Sequence, residues 1–130
     1  MREVKVNRRM IVAAAAMVGA VSAWALMAVA AEKLQKLSGT QIQAKFAGME
    51  VTDDVHWADV YERGGTLRSF SMGRKSVGKW RVQKDELCID RGKDDGGCFE
   101  VWLAGKNVEL RRQGSTLPLQ GVLQKPSARN

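Results

Sequence analysis

Short runs of apolar, β-branched and aromatic residues alternate with turn residues along the chain after Gly48, at a spacing of roughly ten residues. This spacing is typical of an antiparallel meander, in which each strand is joined to the next by a short turn. The pattern predicts about seven strands. They cover residues 55–61, 66–72, 77–82, 86–90, 98–103, 107–112 and 119–123.

Alternation within a run predicts which side of a strand faces the core. Trp80 faces the opposite side to Lys79 and Arg81, so we expect the tryptophan inside and the two cations in water. Leu67 and the apolar Phe70 fall out of phase by one position, which predicts a bulge or a displaced strand boundary.

One helix is predicted ahead of the strands. Residues 37–40, Leu-Ser-Gly-Thr, supply capping residues, and Ile42 and Phe46 lie four positions apart on one side of a helix. The pattern predicts a short amphipathic helix over residues 40–47 that ends at Gly48. Two turns of helix are marginal alone, so this side must pack on the strands. The predicted fold is mainly β, a small antiparallel meander forming a barrel or a sandwich with one short N-terminal helix.

The start of the chain differs from the rest in composition. A basic tip is followed by an alanine-rich, uncharged run over residues 10–31, which contains the small-x-small pattern Ala28-Val29-Ala30. Residues 1–30 are therefore predicted to be a signal peptide. The uncharged run is also long enough to span a bilayer, so an uncleaved membrane anchor is the alternative. Both alternatives place the remaining chain across the membrane and predict a periplasmic or secreted protein.

The rest of the chain is predicted to be one domain. Residues 31–36 form a linker, residues 37–124 a single disulfide-linked β domain and residues 125–130 a disordered polar tail. Removing the four basic residues and one acidic residue of residues 1–30 lowers the formal net charge from +7 to +4. A domain of that charge needs no nucleic-acid partner, and none is predicted. Membrane attachment is predicted only through an uncleaved leader.

The two cysteines, Cys88 and Cys98, predict a structural disulfide. An even cysteine count in an exported domain favours a bridge, and the two residues flank a turn-rich segment that is typical of a hairpin. A redox-active or metal-binding pair is the alternative, but the nine-residue spacer differs from a C-x-x-C arrangement and His56 is the sole histidine. Closing this short loop is expected to stabilise the domain by about 2–3 kcal/mol.

Five segments of the chain carry one resemblance to a known family. Their order resembles that of a group of small exported alphaproteobacterial proteins of unknown function, which have a leader, a short helix and a disulfide-linked β domain with a G-x-W strand. The resemblance implies the architecture and the compartment, and it transfers no functional residue. The segments are Leu-Ser-Gly-Thr-Gln-Ile at 37–42, Phe-Ala-Gly at 46–48, Gly-Lys-Trp-Arg-Val at 78–82, Leu-Cys at 87–88 and Cys-Phe-Glu-Val at 98–101.

Charge is segregated along the domain. Residues 50–62 contain five acidic residues and no Lys or Arg, whereas residues 63–84 contain seven basic residues and no acid. A basic face on adjacent strands could dock anionic lipid headgroups, lipopolysaccharide, an acidic glycan or an acidic envelope protein. The alternative is a solvated sheet face without a binding role, on which the cations only prevent the strands from pairing with another chain. The candidate contacts with an anionic surface are Arg74, Lys75, Lys79 and Arg81.

Two further functions stay open. Asp53, Asp54, His56 and Asp59 contain enough potential ligands and bases for a hydrolase or a metal site, although strand alternation separates His56 from Asp59. The aromatic residues could line a barrel interior that carries a small ligand, although in so small a domain we expect them to fill the core. No catalytic motif rises above background. The predicted function is therefore a non-enzymatic binding or interaction module with no cofactor and no metal.

Overall fold

The computed structural model describes residues 32–92 and 96–128. The predictions of a signal peptide, and of an uncleaved anchor in its place, lie outside these residues. Within them, the chain forms nine strands and one helix. In chain order these are β1 (Gln35–Lys36), α1 (Gly39–Phe46), β2 (Met49–Thr52), β3 (Trp57–Tyr61), β4 (Thr66–Ser71), β5 (Arg74–Gln83), β6 (Glu86–Asp90), β7 (Gly96–Ala104), β8 (Asn107–Arg111) and β9 (Leu119–Gln124).

Strands β2 to β9 form a closed antiparallel barrel. Each strand pairs with the next along the chain, and β9 returns to pair with β2. Strand β1 lies outside this ring of eight and pairs with the second half of β7, where Gln35 is opposite Leu103. The mainly β prediction is confirmed, with a barrel as its architecture. Full closure leaves no unpaired edge within the ring.

Two strands were not predicted from the sequence. Strand β2 carries Glu50 and Thr52, both fully buried, so its polar side chains hide the usual apolar alternation. Strand β1 has two exposed residues and lies within the segment predicted to be a linker. The bulge predicted from Leu67 and Phe70 is wrong, because β3 and β4 pair in regular register from Trp57 opposite Ser71 onward. Leu67 is fully buried, whereas Phe70 belongs to the opposite face of its strand.

The helix begins one residue earlier than predicted and closes one end of the barrel. Ser38 caps it, since its side chain accepts from the backbone N–H of Gln41, whose side chain accepts from the Ser38 N–H in return. Ile42 and Phe46 are fully buried. The Phe46 ring packs edge-on against Tyr61, with centroids 5.2 Å apart. The predicted packing of this helix face on the strands is confirmed.

The G-x-W segment of β5 has a clear physical basis. A Cβ on Gly78 would lie 2.2 Å from the carbonyl oxygen of Asp90, so only glycine allows β6 to approach this closely. Two residues further on, Trp80 is buried and its indole N–H donates to the Glu62 carbonyl at 2.7 Å. The motif therefore serves packing and strand pairing.

Cys88 and Cys98 are joined by a disulfide between neighbouring strands. They lie directly opposite each other in the β6–β7 pair. The predicted bridge is present, and its cysteines are on the outer wall, because the adjacent register pair, Leu87 opposite Phe99, points into the core. Such a bridge is typical of proteins in oxidising compartments.

The two ends of the barrel differ. At one end, α1 packs beside the β5–β6 turn, where the Gly39 N–H donates to the Asp85 carboxylate at 2.8 Å. The opposite end is formed by the connections that follow β2, β4, β6 and β8. We call this end the mouth.

No helix in the described ranges is long and apolar enough to cross a membrane.

Candidate functional site

The mouth contains a cavity of about 300 Å³. Its floor is formed by Phe99 and Leu110, two buried core residues of β7 and β8. Its rim is apolar, because Leu117 is 82% exposed and Leu119 is 45% exposed. The remaining lining includes two arginines, Arg91 and Arg112.

Arg91 is held at the mouth by a buried polar cluster. Its guanidinium forms an ion pair with the carboxylate of Asp59 on β3, which is 3% exposed. The same carboxylate accepts from the Ser69 hydroxyl at 2.6 Å. Asp59 and Ser69 lie opposite each other on β3 and β4, on the faces that point into the barrel. A buried carboxylate is tolerated there because a cation and a hydroxyl compensate it.

Arg112 is held differently, by an aromatic ring. Its guanidinium carbon lies 5.1 Å from the centroid of the Phe99 ring, within cation–π range. The guanidinium also lies against Gly97, where an added Cβ would be 2.0 Å from Nη2 of Arg112. Among the described residues, no carboxylate lies within ion-pair distance of Arg112. Among the described residues, Arg112 is therefore a positioned cation at the mouth without a carboxylate partner.

Three of the four predicted basic contacts share the outer wall of β5. Lys75, Lys79 and Arg81 alternate with residues that face inward, and all three are exposed. We call these three residues the basic strip. Arg74 lies on the other side of the strand, at its first position beside the mouth. No residue of the basic strip forms an ion pair with any carboxylate in the described ranges.

Exposed apolar side chains accompany the basic strip. Val77, between Lys75 and Lys79 on the same wall, is 71% exposed. Met72 is 75% exposed at the tip of the β4–β5 hairpin, and Val55 is 79% exposed in the neighbouring loop. A hydrogen bond of 2.9 Å from the Met72 N–H to the His56 carbonyl joins hairpin and loop. The basic strip, Val77 and Met72 thus lie on the β4–β5 hairpin, and Val55 lies in the loop hydrogen-bonded to it.

The acidic cluster predicted as an alternative site is divided by the structure. Asp53 and His56 form a pair, with 2.8 Å between Oδ2 and Nδ1. Asp53 also accepts from the backbone N–H groups of Val55, His56 and Trp57, and these hydrogen bonds, led by that of Trp57, hold its pKa well below the usual range. Asp59 lies apart from this pair, in the buried cluster with Arg91.

This division weakens the hydrolase and metal hypothesis. Asp53 is occupied in closing the β2–β3 loop, and Asp54 is exposed with a φ of 67°. In the part of the chain that the structure describes, no three His, Cys, Asp or Glu side chains come together as metal ligands would. Of the four predicted residues, the structure brings together one pair, His56 and Asp53.

The half of the barrel beneath the helix is filled by aromatic side chains. Tyr61 is fully buried, and its ring packs edge-on against Trp80 with centroids 5.6 Å apart. Burial raises the pKa of the Tyr61 hydroxyl well above its usual value, and the charge of Asp59 raises it further. Trp102, by contrast, lies on the outer wall, where Arg111 stacks over its ring at 4.2 Å. The expected aromatic core is thus formed here by Tyr61 and Trp80.

Sequence reasoning did not identify Arg91 and Arg112 as site residues. Arg91 meets its partner Asp59 across 32 residues of sequence, so no local pattern connects them. The pair Gly96-Gly97 was interpreted only as part of a turn, although the guanidinium of Arg112 lies against Gly97.

No family model matches the chain, and neither a curated protein nor a solved structure matches it. The resemblance to small exported proteins therefore stays a prediction.

Proposed function

We propose that this chain is an exported, non-enzymatic binding module that docks on an anionic envelope surface through its basic strip. The observation that carries the proposal is the exposure of Lys75, Lys79 and Arg81 on one wall without carboxylate partners among the described residues. Export is supported by the cross-strand disulfide, which is typical of oxidising compartments.

The surface that suits the strip best is a lipid bilayer with anionic headgroups. Basic side chains near such a surface each contribute about 1 kcal/mol, so three cations give weak, reversible attraction. Val77, Met72 and Val55 add exposed apolar area beside the cations, which a polar glycan would not use. This combination of positive charge and apolar tips favours the bilayer over a soluble acidic polymer.

Vesicle binding by the full chain tests the proposal. Wild-type protein is expected to sediment with phosphatidylglycerol-containing vesicles, to remain in solution with pure phosphatidylcholine vesicles, and to dissociate as salt is raised. The charge-reversal variant K75E/K79E/R81E is expected to lose this binding. Equal binding by this variant and by wild type would overturn the proposal.

A matched control separates the strip from overall charge. The variant K33E/K106E/K125E reverses three exposed cations elsewhere in the chain and changes the net charge by the same amount. It is expected to retain most vesicle binding. Equal losses in both variants would mean that net charge alone governs association, and binding to acidic glycan beads without vesicle binding would identify a different partner.

A further inference from the structure

We propose that the cavity at the mouth is a binding site for a small organic carboxylate with an apolar body. This site is separate from the basic strip, because its described lining comes from β7, β8, the start of β9, the β8–β9 connection and Arg91 after β6. Its volume of about 300 Å³ lies at the lower end of the range for small-molecule sites, about 300–1,000 Å³. A ligand of that size is a short acid rather than a lipid with two acyl chains.

Arg112 is the group that would bind the carboxylate. Its guanidinium carbon lies over Phe99, and no carboxylate among the described residues is within ion-pair distance of it. The N–H groups of a guanidinium lie in one plane and match the two oxygens of a carboxylate. The guanidinium lies directly against Gly97, where an added Cβ would be 2.0 Å from Nη2 of Arg112.

Arg91 contributes a fixed wall rather than a second free cation. Its charge is compensated by Asp59, and its Nε lies 3.5 Å from the Ser69 hydroxyl. The described lining thus contains one cation without a carboxylate partner and one neutralised pair, which favours a monoanion over a dianion. The ligand class is therefore a monocarboxylate.

The apolar part of the ligand would contact the floor and the rim. Phe99 and Leu110 form an apolar floor, and Leu117 and Leu119 are left exposed above it. Leu117 and Leu119 offer exposed apolar surface on the same cavity lining as Arg112, and an amphiphilic anion would contact both the leucines and the guanidinium. A short aliphatic chain fits this lining.

Titration of the full-length chain with octanoate, below its micelle concentration, tests the site by calorimetry and by the NMR signal of the Arg112 Nε–H. Octanoate is expected to bind and to shift that signal, whereas octan-1-ol is expected to bind about tenfold more weakly or not at all. The variant R112Q is expected to weaken octanoate binding by about tenfold or more, and R112K to fall between, because lysine keeps the charge but loses the planar fork.

The controls distinguish this site from the basic strip and from misfolding. K75E/K79E/R81E is expected to bind octanoate within about twofold of wild type, and R112Q to keep the wild-type circular dichroism spectrum. Equal octanoate affinity for R112Q and wild type, equal affinity for octanoate and octan-1-ol, or no octanoate binding to wild type would each overturn the inference. None of these results bears on vesicle binding by the strip.

Discussion

Asp59 and Arg91 form an ion pair inside the barrel, although 32 residues separate them along the chain. Asp59 points inward from β3, and Arg91 reaches it from the connection that follows β6. The side chain of Asp59 is 5% exposed and that of Arg91 is 22% exposed, so solvent screens this pair little. The pair ties a mouth connection to the opposite side of the barrel and positions one wall of the cavity.

Removing one partner of this pair is expected to be costly. Asp59→Ala would leave the guanidinium without its carboxylate, and we expect a loss of about 3 kcal/mol in the free energy of unfolding, measured by urea titration. Arg68→Gln is the matched control, since it breaks an ion pair with Glu62 whose side chains are 48% and 39% exposed. That change should cost less than about 1 kcal/mol. Similar losses in both variants would show that burial does not strengthen the Asp59–Arg91 pair.

Tyr61 differs from Asp59, whose buried carboxylate is paired with Arg91. Its hydroxyl is buried and has no hydrogen-bond partner in the described part of the chain. A buried hydroxyl without a partner costs about 1–3 kcal/mol relative to water. Tyr61→Phe removes that hydroxyl but keeps the edge-on ring contacts with Phe46 and Trp80.

The variant Tyr61→Phe is therefore expected to be at least as stable as wild type, with a gain of about 1 kcal/mol in urea unfolding. Tyr61→Leu serves as the control, because it removes the hydroxyl and also the aromatic contacts, and it should destabilise the barrel by about 1–3 kcal/mol. A clear loss of stability in Tyr61→Phe would mean that the hydroxyl makes a favourable interaction.

The sequence predicted the elements whose signals are local. The helix follows from capping residues and the spacing of Ile42 and Phe46, and the disulfide follows from Cys88 and Cys98 around a turn. Each of these signals lies within a dozen residues. Strand β2 was missed because Glu50 is fully buried and accepts from the Gln124 side chain at 3.0 Å, a contact across 74 residues.

For the candidate sites, too, features within one strand could be predicted from the sequence, whereas contacts between distant segments could not. Four cations, Arg74, Lys75, Lys79 and Arg81, were predicted from the charge pattern as contacts with an anionic surface. Three of them, the basic strip, share one wall, and Arg74 does not, because alternation along the strand decides which side each faces. A barrel that carries a small ligand was one of the predicted alternatives, but the arginines of the mouth cavity were not predicted, because Arg91, Arg112 and Phe99 come from different segments and meet only when the barrel closes. Closure depends on the pairing of β9 with β2, which no local pattern in the sequence encodes.

Asp53 is expected to make the barrel sensitive to acid. Its pKa is lower in the folded chain than the usual value of about 3.9, because backbone N–H groups of its loop, first that of Trp57, donate to the ionised carboxylate. The folded state then binds fewer protons than the unfolded state. The resulting stabilisation is present above about pH 4 and is lost as the pH falls toward the folded-state pKa.

Asp53→Asn tests whether the ionised Asp53 carboxylate stabilises the folded state. The variant is expected to be less stable than wild type at pH 7, and the difference in melting temperature should shrink as the pH is lowered below about 4. Glu100 and Glu109 also have lowered pKa values, owing first to hydrogen bonds from Trp102 and Arg111 respectively, so acid sensitivity is reduced in the variant but not abolished. A difference that stayed constant between pH 7 and pH 2 would show that ionisation of Asp53 is irrelevant.

Gly78 is expected to be intolerant of any side chain. A Cβ at this position would lie 2.2 Å from the Asp90 carbonyl oxygen and 3.2 Å from the Arg91 Cα, both backbone atoms of the neighbouring segment. Gly78→Ala must therefore separate β5 from the end of β6, and we expect a loss of about 1–3 kcal/mol in urea unfolding.

Gly64→Ala is the matched control for Gly78→Ala, since nothing lies within 4 Å of the added Cβ and the backbone there does not have a positive φ. The control is expected to be neutral or to stabilise by up to about 1 kcal/mol, because alanine restricts the unfolded chain. Because Arg91 follows the displaced strand end, Gly78→Ala should also weaken octanoate binding, whereas Gly64→Ala should not. Equal stability of the two variants would remove strand approach as the reason for glycine in the G-x-W segment.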